Sequence, residues 1–286
     1  MPRSADQDQR LRRYWDKHAR SYDQQMGFFD RHLFHDSRQW ICSKAVGNVL
    51  EAAVGTGLNL AHYPDEVRLT GIEWSPTMLD LARHRAEHLG RSVDLRLGDA
   101  QALQFPDDRF DTVVCTFSLC AIPDDRKALH EMARVLRPGG LLLLADHVEA
   151  TGWYARAAQR LLELVTIPVG GEHFRRRPLT NLTAMGFTIE GHERFTLGIV
   201  ERLAARRPTC HDLNRTRPQA QHRTVVALCP RCRRATSQAS SPTPRSDPQD
   251  ATRIRPSPPG ASPSHTDRRR CAGRPTPDRT HSAPSL

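Results

Sequence analysis

A glycine-rich turn after a short apolar stretch constrains the fold of this chain more than any other feature. Residues 48–51 form a predicted strand that ends at Glu51, and Gly55 and Gly57 permit a tight turn into a helix predicted to begin near Leu58. Glycine at such a turn lets a ligand lie against bare backbone, because a Cβ atom would hold the ligand away. The stretch therefore predicts a binding site after the first strand of a parallel sheet.

The spacing of this turn argues against a dinucleotide ligand. Dinucleotide sites use Gly-x-Gly-x-x-Gly, whereas the third glycine position falls here on Leu60. The acidic Glu51 would also oppose a phosphate group, and it suits a ligand that carries an ammonium group.

Apolar stretches alternate with amphipathic stretches along the first 208 residues, which predicts an α/β fold. The predicted strands are residues 48–51, 68–73, 94–97, 110–117, 141–145, 187–190 and 195–203. Besides the helix near Leu58, the predicted helices are residues 9–26, 28–45, 76–89, 124–136, 151–166 and 180–185. Ser75 is the predicted N-cap of the third of these helices, and residues 137–140 (Arg-Pro-Gly-Gly) are predicted to end the fourth.

No helix separates the last two strands, so they are predicted to pair antiparallel. The expected fold is a doubly wound sheet of seven strands, mostly parallel, with an antiparallel C-terminal edge strand. Two helices have apolar residues at helical spacing. They are Trp15, Ala19, Tyr22 and Met26 in the N-terminal helix, and Trp153, Ala157, Leu161, Leu164 and Val165 in helix 151–166.

The composition divides the chain at residue 208. Residues 209–286 contain 14 arginines, five aspartates, no lysine, no glutamate and no aromatic residue, so they carry nine of the ten net positive charges. This tail also holds 12 of the 21 prolines. Such a segment cannot bury enough apolar surface to fold, so we expect a disordered Arg/Pro/Ser-rich tail. A shifted reading frame is a second interpretation of its abrupt start.

Two other functions of the tail were weighed. Residues 231–234 and 268–270 are arginine-rich and would attract phosphate, but no aromatic residue lies between them to stack on bases, so no specific nucleic-acid partner is expected. Cys229 and Cys232 are spaced like a zinc pair, yet no second pair has suitable spacing, so no metal is predicted.

The N-terminal 20 residues are charged where a signal peptide is apolar, and no apolar stretch reaches the roughly 20 residues of a membrane span. We therefore expect a cytoplasmic protein with at most peripheral membrane contact. Cys42, Cys115 and Cys120 lie in apolar stretches, which predicts buried, reduced thiols rather than disulfides.

Acidic residues follow three successive predicted strands. Glu51 follows the first strand, Glu73 ends the second, Asp99 follows the third, and residues 116–119 follow the fourth. Ligands of open parallel sheets bind at the carboxyl ends of the strands. A carboxylate at the end of the second strand can accept two hydrogen bonds from vicinal ribose hydroxyls. One acid alone would be an ordinary loop residue or helix cap, but three in succession indicate a nucleoside site.

The combination resembles the class I S-adenosylmethionine-dependent methyltransferases, which have a Rossmann-like sheet. Their first motif, acid-x-Gly-x-Gly-x-Gly, matches Glu51, Ala53, Gly55 and Gly57, with Ala53 in place of the first glycine. The resemblance extends from about residue 14 to residue 207 and includes Arg-Val-Leu-Arg-Pro-Gly-Gly before the fifth strand. Within the family it is nearest the quinone-ring and phosphatidylethanolamine methyltransferases.

The resemblance implies S-adenosylmethionine as the cofactor and a role for each matching residue. Glu73 would bind the ribose, Asp99 and Ala100 the adenine, Glu51 the methionine ammonium group, and Tyr22 would close over the methionine end. The cofactor-binding residues expected on this basis are Tyr22, Glu51, Ala53, Gly55, Gly57, Glu73, Trp74, Asp99, Ala100 and Thr116.

Methyl transfer also needs an acceptor and, for some acceptors, a base. Asp146 and His147, after the fifth strand, are the first candidates for a base, and His173 is the second. A small or lipid-like acceptor is expected, such as a lipid headgroup or a quinone. The alternative is a protein of the same fold that binds the cofactor without catalysis. The sequence leaves the oligomeric state open.

Overall fold

A computed structural model describes residues 5–209 and residue 212. The predictions made for the tail, including its disorder, its basic clusters and the Cys229–Cys232 pair, lie outside the described residues. The division of the chain at residue 208 likewise stays a prediction.

Seven strands form one sheet. They are Asn48–Ala52 (β1), Arg68–Glu73 (β2), Val93–Leu97 (β3), Phe110–Thr116 (β4), Leu136–His147 (β5), Thr188–Phe195 (β6) and Val200–Arg206 (β7). Their order in the sheet is β3-β2-β1-β4-β5-β7-β6. Strands β1 to β5 are parallel, and β7 runs antiparallel between β5 and the edge strand β6. The predicted fold class is confirmed, and the strand order reverses between β1 and β4.

Six α-helices surround the sheet. They are Ala5–Phe29 (α1), Ser37–Cys42 (α2), Pro76–His88 (α3), Asp125–Val135 (α4), Trp153–Gly170 (α5) and Pro178–Ala184 (α6). The helix predicted over residues 28–45 is interrupted, because a π-helical turn at Asp30–Phe34 ends at His35 with a φ of 51°. Ser75 caps α3 as predicted, since its hydroxyl accepts the Met78 N–H at 3.2 Å.

Both faces of the sheet are buried, as expected of a mainly parallel sheet. Leu50 of β1 packs in one cluster with Leu129 and Met132 of α4. Val49, its neighbour in β1, packs in a second cluster with Ile41 of α2 and Ala82 of α3. Because successive strand residues point to opposite faces, β1 contributes to both cores and lies at the centre of the domain.

The helix predicted to begin near Leu58 is absent among the described residues. The chain forms only a 3-10 turn at Leu60–His62, and Tyr63 is extended with a φ of −76° and a ψ of 145°. Pro64 explains the difference, because proline disfavours helical geometry at the residue before it and supplies no N–H. The turn after β1 therefore continues into a compact loop.

Two strand boundaries also differ from the prediction. The Arg-Pro-Gly-Gly segment lies inside β5 rather than before it, because Gly139 and Gly140 exchange backbone hydrogen bonds with Arg207 at 3.0 and 2.9 Å. The predicted strand 195–203 contains the hairpin turn between β6 and β7. Thr196 and Leu197 there have φ values of 53° and 58°.

Cys42, Cys115 and Cys120 are buried and free, as predicted. No helix in the described part of the chain is long and apolar enough to cross a bilayer.

Candidate functional site

A cavity opens at the carboxyl ends of the central strands, beside the reversal of strand order. Ligands of open α/β sheets bind at this position. Of the ten predicted cofactor residues, seven line it: Tyr22, Ala53, Gly55, Glu73, Trp74, Asp99 and Ala100. The other three, Glu51, Gly57 and Thr116, are not among its lining residues.

Glu73 occupies the central position in the cavity wall. One carboxylate oxygen accepts the Gly55 N–H at 2.8 Å, and the other accepts the Ser75 N–H at 2.9 Å. Burial raises the pKa of Glu73, while these backbone N–H groups act in the opposite direction. The carboxylate is thus fixed by its own backbone at the place where the cavity begins.

The two glycines of the turn have different functions. A Cβ atom on Gly55, whose φ is 59°, would meet no atom within 4 Å. Because Gly55 lines the cavity, its bare backbone leaves room for a ligand. A Cβ on Gly57 would instead come within 3.2 Å of the Ala82 Cα, so Gly57 permits close packing of the turn on α3.

Asp99, which follows β3, also lines the cavity. Its carboxylate accepts the Gln101 backbone N–H at 2.8 Å and the Gln101 side-chain N–H at 3.0 Å. Gln101 also accepts the Asp124 N–H at 3.0 Å, which joins this loop to the start of α4. The carboxylate is held in place by bonds within its own loop.

Helix α1, which includes the predicted helix 9–26, covers the cavity. Its residues Trp15 and Tyr22 belong to the lining. Burial raises the pKa of the Tyr22 phenol, so it stays a neutral hydrogen-bond donor. Asp16 accepts a hydrogen bond from the Ser75 hydroxyl, and Asp23 accepts one from Thr56 and pairs with Arg85. Two acidic residues of α1 therefore fasten this cover to α3 and to the glycine turn.

Glu51 of β1 is 1 % exposed and does not line the cavity. Its carboxylate accepts hydrogen bonds from the Asn59 amide at 2.7 Å and from the Tyr63 hydroxyl at 2.9 Å. Burial raises the pKa of Glu51 to about 7, against the opposing effects of these two bonds and of the Arg38 charge. The loop between β1 and β2 thus supplies both partners of the buried acid.

A buried arginine completes this group. Arg38 of α2 donates to Asn59 Oδ1 at 3.0 Å and pairs with Asp30 at 3.0 Å. The Thr116 hydroxyl accepts the Asn59 N–H at 2.7 Å, which places Thr116 in the same network. The second terminal nitrogen of Arg38, Nη2, is buried without a hydrogen-bond partner. A buried, unpaired guanidinium N–H is costly, so this nitrogen is a candidate for binding an anionic ligand group.

His147, one of the predicted bases, lies in an aromatic cluster beside the cavity. Its ring centroid is 5.1 Å from that of Phe34, 5.8 Å from that of Phe117 and 5.3 Å from that of Phe174. Phe117 also lines the cavity, so His147 lies next to a lining residue.

The other two predicted bases differ from His147 in their surroundings. Asp146 is buried, and its two oxygens accept the N–H groups of Cys120 at 3.2 Å and His147 at 2.7 Å. These bonds favour a structural role for Asp146. His173 is half-buried, and its backbone N–H donates to the Cys120 carbonyl at 2.8 Å. The structure thus brings all three predicted bases to one loop around Cys120.

Cys120, Asp146 and His147 each offer an atom that could ligate a metal ion, and these atoms lie within 4.8 Å of one another. Burial, and the nearby Asp146, raise the pKa of the Cys120 thiol. This favours the protonated thiol over the thiolate that binds metals.

Sequence reasoning missed four residues that shape the site: Arg38, Asn59, Tyr63 and Phe117. A signal existed for Arg38, because it shares a helical face with Phe34 and Ile41, both fully buried. Asn59 carried none, since it was expected to lie in a helix, and Tyr63 carried none, since it was expected to begin a turn over residues 63–66.

Three comparisons relate this chain to known proteins. A family model described as a methyltransferase domain matches residues 50–144. Phosphatidylethanolamine N-methyltransferase of Cereibacter sphaeroides is 45% identical over 103 residues, covering 35% of this chain and 51% of the relative. Demethylmenaquinone methyltransferase of Deinococcus radiodurans is 41% identical over 101 residues, covering 34% and 42%. The chain thus spans about half the length of these two curated relatives.

A longer match is to the thiol S-methyltransferase TMT1B of Rattus norvegicus, which is 33% identical over 175 residues. It covers 59% of this chain and 71% of the relative. Among solved structures, an S-adenosylmethionine-dependent methyltransferase of Thermotoga maritima has a TM-score of 0.52 at 20% identity. The match covers 68% of this chain and 99% of the Thermotoga maritima chain. The [4+2]-cyclase SpnF has a TM-score of 0.51 at 21% identity, covering 61% and 79%. These two structures show the fold alone.

Ala53 generates the first prediction. It has a φ of 58°, the left-handed region that costs a residue with a Cβ atom roughly 1–2 kcal/mol. We expect Ala53→Gly to raise the free energy of unfolding by about 1 kcal/mol and the melting temperature by about 2–4 °C. Thermal unfolding would measure this. Gly90→Ala is the matched control, because Gly90 has a φ of 60° and open space around its Cβ position, and it should lower stability by a similar amount. A lower melting temperature for Ala53→Gly would contradict the argument.

Glu51 generates the second prediction. Its pKa in the folded protein is about 7, above the ordinary value of about 4.5, so the folded state retains a proton that the unfolded state has lost between these values. Stability therefore falls as pH rises through this window. Relative to Glu51→Gln, the wild type should lose on the order of 2–3 kcal/mol between about pH 5 and pH 8.

Urea unfolding of both proteins at the two pH values would measure this difference. The exposed Glu66 provides the control, because Glu66→Gln should show no such pH-dependent gap. A constant difference between Glu51→Gln and the wild type would show that Glu51 is ionised in the folded protein throughout this range.

Proposed function

Because the chain belongs to the methyltransferase domain family, we propose that it transfers a methyl group from S-adenosylmethionine to a small acceptor. The main support is the cavity lined together by Glu73, Gly55 and Asp99, which lie at the carboxyl ends of three different strands. S-adenosylmethionine supplies a methyl group already activated by its sulfonium. The chain needs chiefly to bind both reactants in line and to exclude water.

The nucleoside part of the cofactor fits the cavity wall. The Glu73 carboxylate would accept bonds from the two ribose hydroxyls, because its two oxygens are held side by side by the Gly55 and Ser75 N–H groups. Asp99 and Ala100 would bind the adenine edge, and Trp74 also lines this part of the cavity. Helix α1 would cover the bound nucleoside with Trp15 and Tyr22.

The amino-acid end of the cofactor carries both an ammonium and a carboxylate group. Glu51 and Arg38 lie in one buried network and offer the two complementary charges. The unpartnered Nη2 of Arg38 supports this assignment, because a carboxylate would satisfy it. The ammonium group would also favour the ionised form of Glu51. These two residues would thus bind the methionine end as a pair.

The acceptor would approach the side of the cavity lined by Phe117, which contacts Phe34 and His147. An aromatic surrounding of this kind suits an apolar acceptor with one nucleophilic group. Lipid headgroups and quinones are the acceptor classes we propose, in line with the two bacterial relatives, and the rat relative adds thiols as a third class.

His147 would accept the proton that the acceptor releases. Its backbone N–H donates to Asp146, and the Asp146 carboxylate also binds the Cys120 N–H, so Asp146 would position the loop that carries the base. Positioning a base near the acceptor typically contributes 10²–10⁴-fold to the rate.

A second candidate function is binding of the cofactor without methyl transfer. A [4+2]-cyclase shares this fold at a TM-score of 0.51 and 21% identity, a likeness that shows the fold alone. The fold therefore does not determine the reaction, and binding and transfer require separate tests.

The binding test concerns Glu73. We expect Glu73→Ala to weaken S-adenosylmethionine binding by roughly 100-fold, because two charge-assisted hydrogen bonds are lost. Calorimetric titration with S-adenosylmethionine, and with its demethylated product, would measure the loss. The exposed Glu66 is again the control, and Glu66→Ala should leave the affinity unchanged. An unchanged affinity for Glu73→Ala, in a variant that still melts cooperatively, would remove Glu73 from the site.

The transfer test uses cofactor labelled in the methyl group with three probes: phosphatidylethanolamine, demethylmenaquinone and 2-mercaptoethanol. We expect label in one of them, and His147→Asn should lower kcat on that probe by about 100-fold while cofactor affinity is unchanged. His130→Asn, an exposed histidine of α4, is the control. Cofactor binding without label in any probe would favour the second candidate function.

A further inference from the structure

Helix α5 has an unusual distribution of polarity. The residues at apolar helical spacing predicted from the sequence all lie on its outer surface. Trp153 is 77% exposed, Leu161 is 68% exposed and Leu164 is 72% exposed. Tyr154 and Val165 add to the same surface. Soluble monomers rarely expose a contiguous apolar patch of this kind without an interaction partner.

The inner face of α5 is polar, and its contacts fix the orientation of the helix. Gln159 is buried, accepts the Ala150 N–H at 2.9 Å and donates to the Val148 carbonyl at 2.9 Å. Glu163, one turn later, is also buried and accepts the Arg175 N–H at 3.1 Å. Rotating the helix to bury its leucines would break these bonds and would move Gln159 and Glu163 away from their partners. The outward position of the apolar face is therefore built into the fold.

The charge beside this face is mainly positive, although the exposed Asp6 precedes the basic row on α1. Glu163 is the only acidic residue of α5, and it is buried. Arg10 of the neighbouring helix α1 donates to the Pro168 carbonyl at 3.1 Å, so α1 borders the C-terminal end of α5. Arg13, Lys17 and Arg20 follow Arg10 on α1 at three- and four-residue spacing, and all are exposed. An exposed apolar helix thus lies beside an exposed basic row.

We propose that α5 lies in the interfacial region of an anionic phospholipid bilayer. Its leucines and Trp153 would enter the boundary between headgroups and acyl chains, and the basic row of α1 would contact lipid phosphates. In this arrangement α5 lies on the membrane surface. No helix among the described residues is long and apolar enough to cross a membrane. The proposal does not depend on methyl transfer. It would, however, bring the loops that carry His147 and His173, before and after α5, towards a lipid-borne acceptor.

Charge argues against the chain's own tail as the occupant. Residues 209–286 carry nine net positive charges and no aromatic residue, so they would be repelled by the basic row and would offer little to the apolar face. The tail would nevertheless bind anionic vesicles by charge alone, so the experiment must report on α5 itself.

The experiment follows tryptophan fluorescence of the full chain with vesicles whose acyl chains carry bromine, a contact quencher. We expect quenching with phosphatidylcholine vesicles that contain about 30% phosphatidylglycerol, and much less with phosphatidylcholine alone. The quenching should disappear in Trp153→Phe, which leaves the three other tryptophans in place.

Two double variants test the two parts of the surface. Leu161→Gln with Leu164→Gln should weaken vesicle partitioning at least about tenfold, because two apolar side chains lose their burial. Arg13→Gln with Lys17→Gln should weaken it by a similar factor at low salt and by less at high salt. Leu97→Gln, an exposed leucine of β3, and Arg68→Gln, an exposed arginine of β2, are the matched controls and should bind as the wild type does.

Two results would overturn the proposal. Vesicle binding without quenching at Trp153 would mean that the tail alone contacts the lipid. A dimer in light scattering that dissociates in Leu161→Gln with Leu164→Gln would mean that a second copy covers α5. Because every substituted residue is exposed, unchanged melting curves should accompany all variants. None of these measurements uses methyl transfer, so their failure is separate from failure of the proposed function.

Discussion

The site depends on one carboxylate, that of Glu73, and its two backbone bonds. The bond to Gly55 joins the end of β2 to the turn after β1, and the bond to Ser75 fixes the start of α3. Ser75 then caps α3 and binds Asp16 of the covering helix α1. These bonds hold together the end of β2, the turn after β1, the start of α3 and the covering helix α1. A ribose bound at Glu73 would consequently contact the most strongly fixed point of the domain.

A second buried group, Glu51 with Asn59, Tyr63 and Arg38, shows how the chain keeps charges inside. Burying ions costs free energy unless each has partners. Glu51 has two neutral donors and a raised pKa, whereas Arg38 has Asp30 and Asn59 but one unpaired nitrogen. The network therefore lacks one hydrogen-bond acceptor, the partner of Arg38 Nη2. A ligand with both an ammonium and a carboxylate group would complete it, which is why the proposed function assigns the methionine end there.

The sequence predicts the sheet well because strand periodicity and strand-end acids are local signals. β2 was predicted to the residue, and the cavity gathers Glu73, Asp99 and Gly55 as the alternation of elements requires. It fails where a neighbour overrides local preference. Backbone bonds to Arg207, just after β7, accompany the extension of β5 over Pro138 and Gly139, and Pro64 prevents the helix that the glycine turn indicates. Arg38 was missed for a similar reason, since its partners come from three separate loops and strands.

Which face of an amphipathic helix points towards the core is a further property that sequence cannot supply. Periodicity locates the apolar face of α5, but whether that face points inward depends on what the opposite face can bind. Here Gln159 and Glu163 find backbone partners in the loops beside β5 and α6, so the polar face is the inner one.

Phe117 joins the two parts of the proposed site. Its φ of 49° is costly for a bulky residue, so the surrounding structure must hold it there. The ring stacks on Phe34 at 3.9 Å, the Arg38 guanidinium lies 5.1 Å from the ring centroid, and the Phe117 N–H donates to the Ala145 carbonyl at 2.6 Å. These contacts fix a ring that lines the cavity and whose centroid lies 5.8 Å from that of His147. Arg38, proposed to bind the methionine end, and His147, proposed as the base, are therefore both neighbours of one residue of the cavity lining.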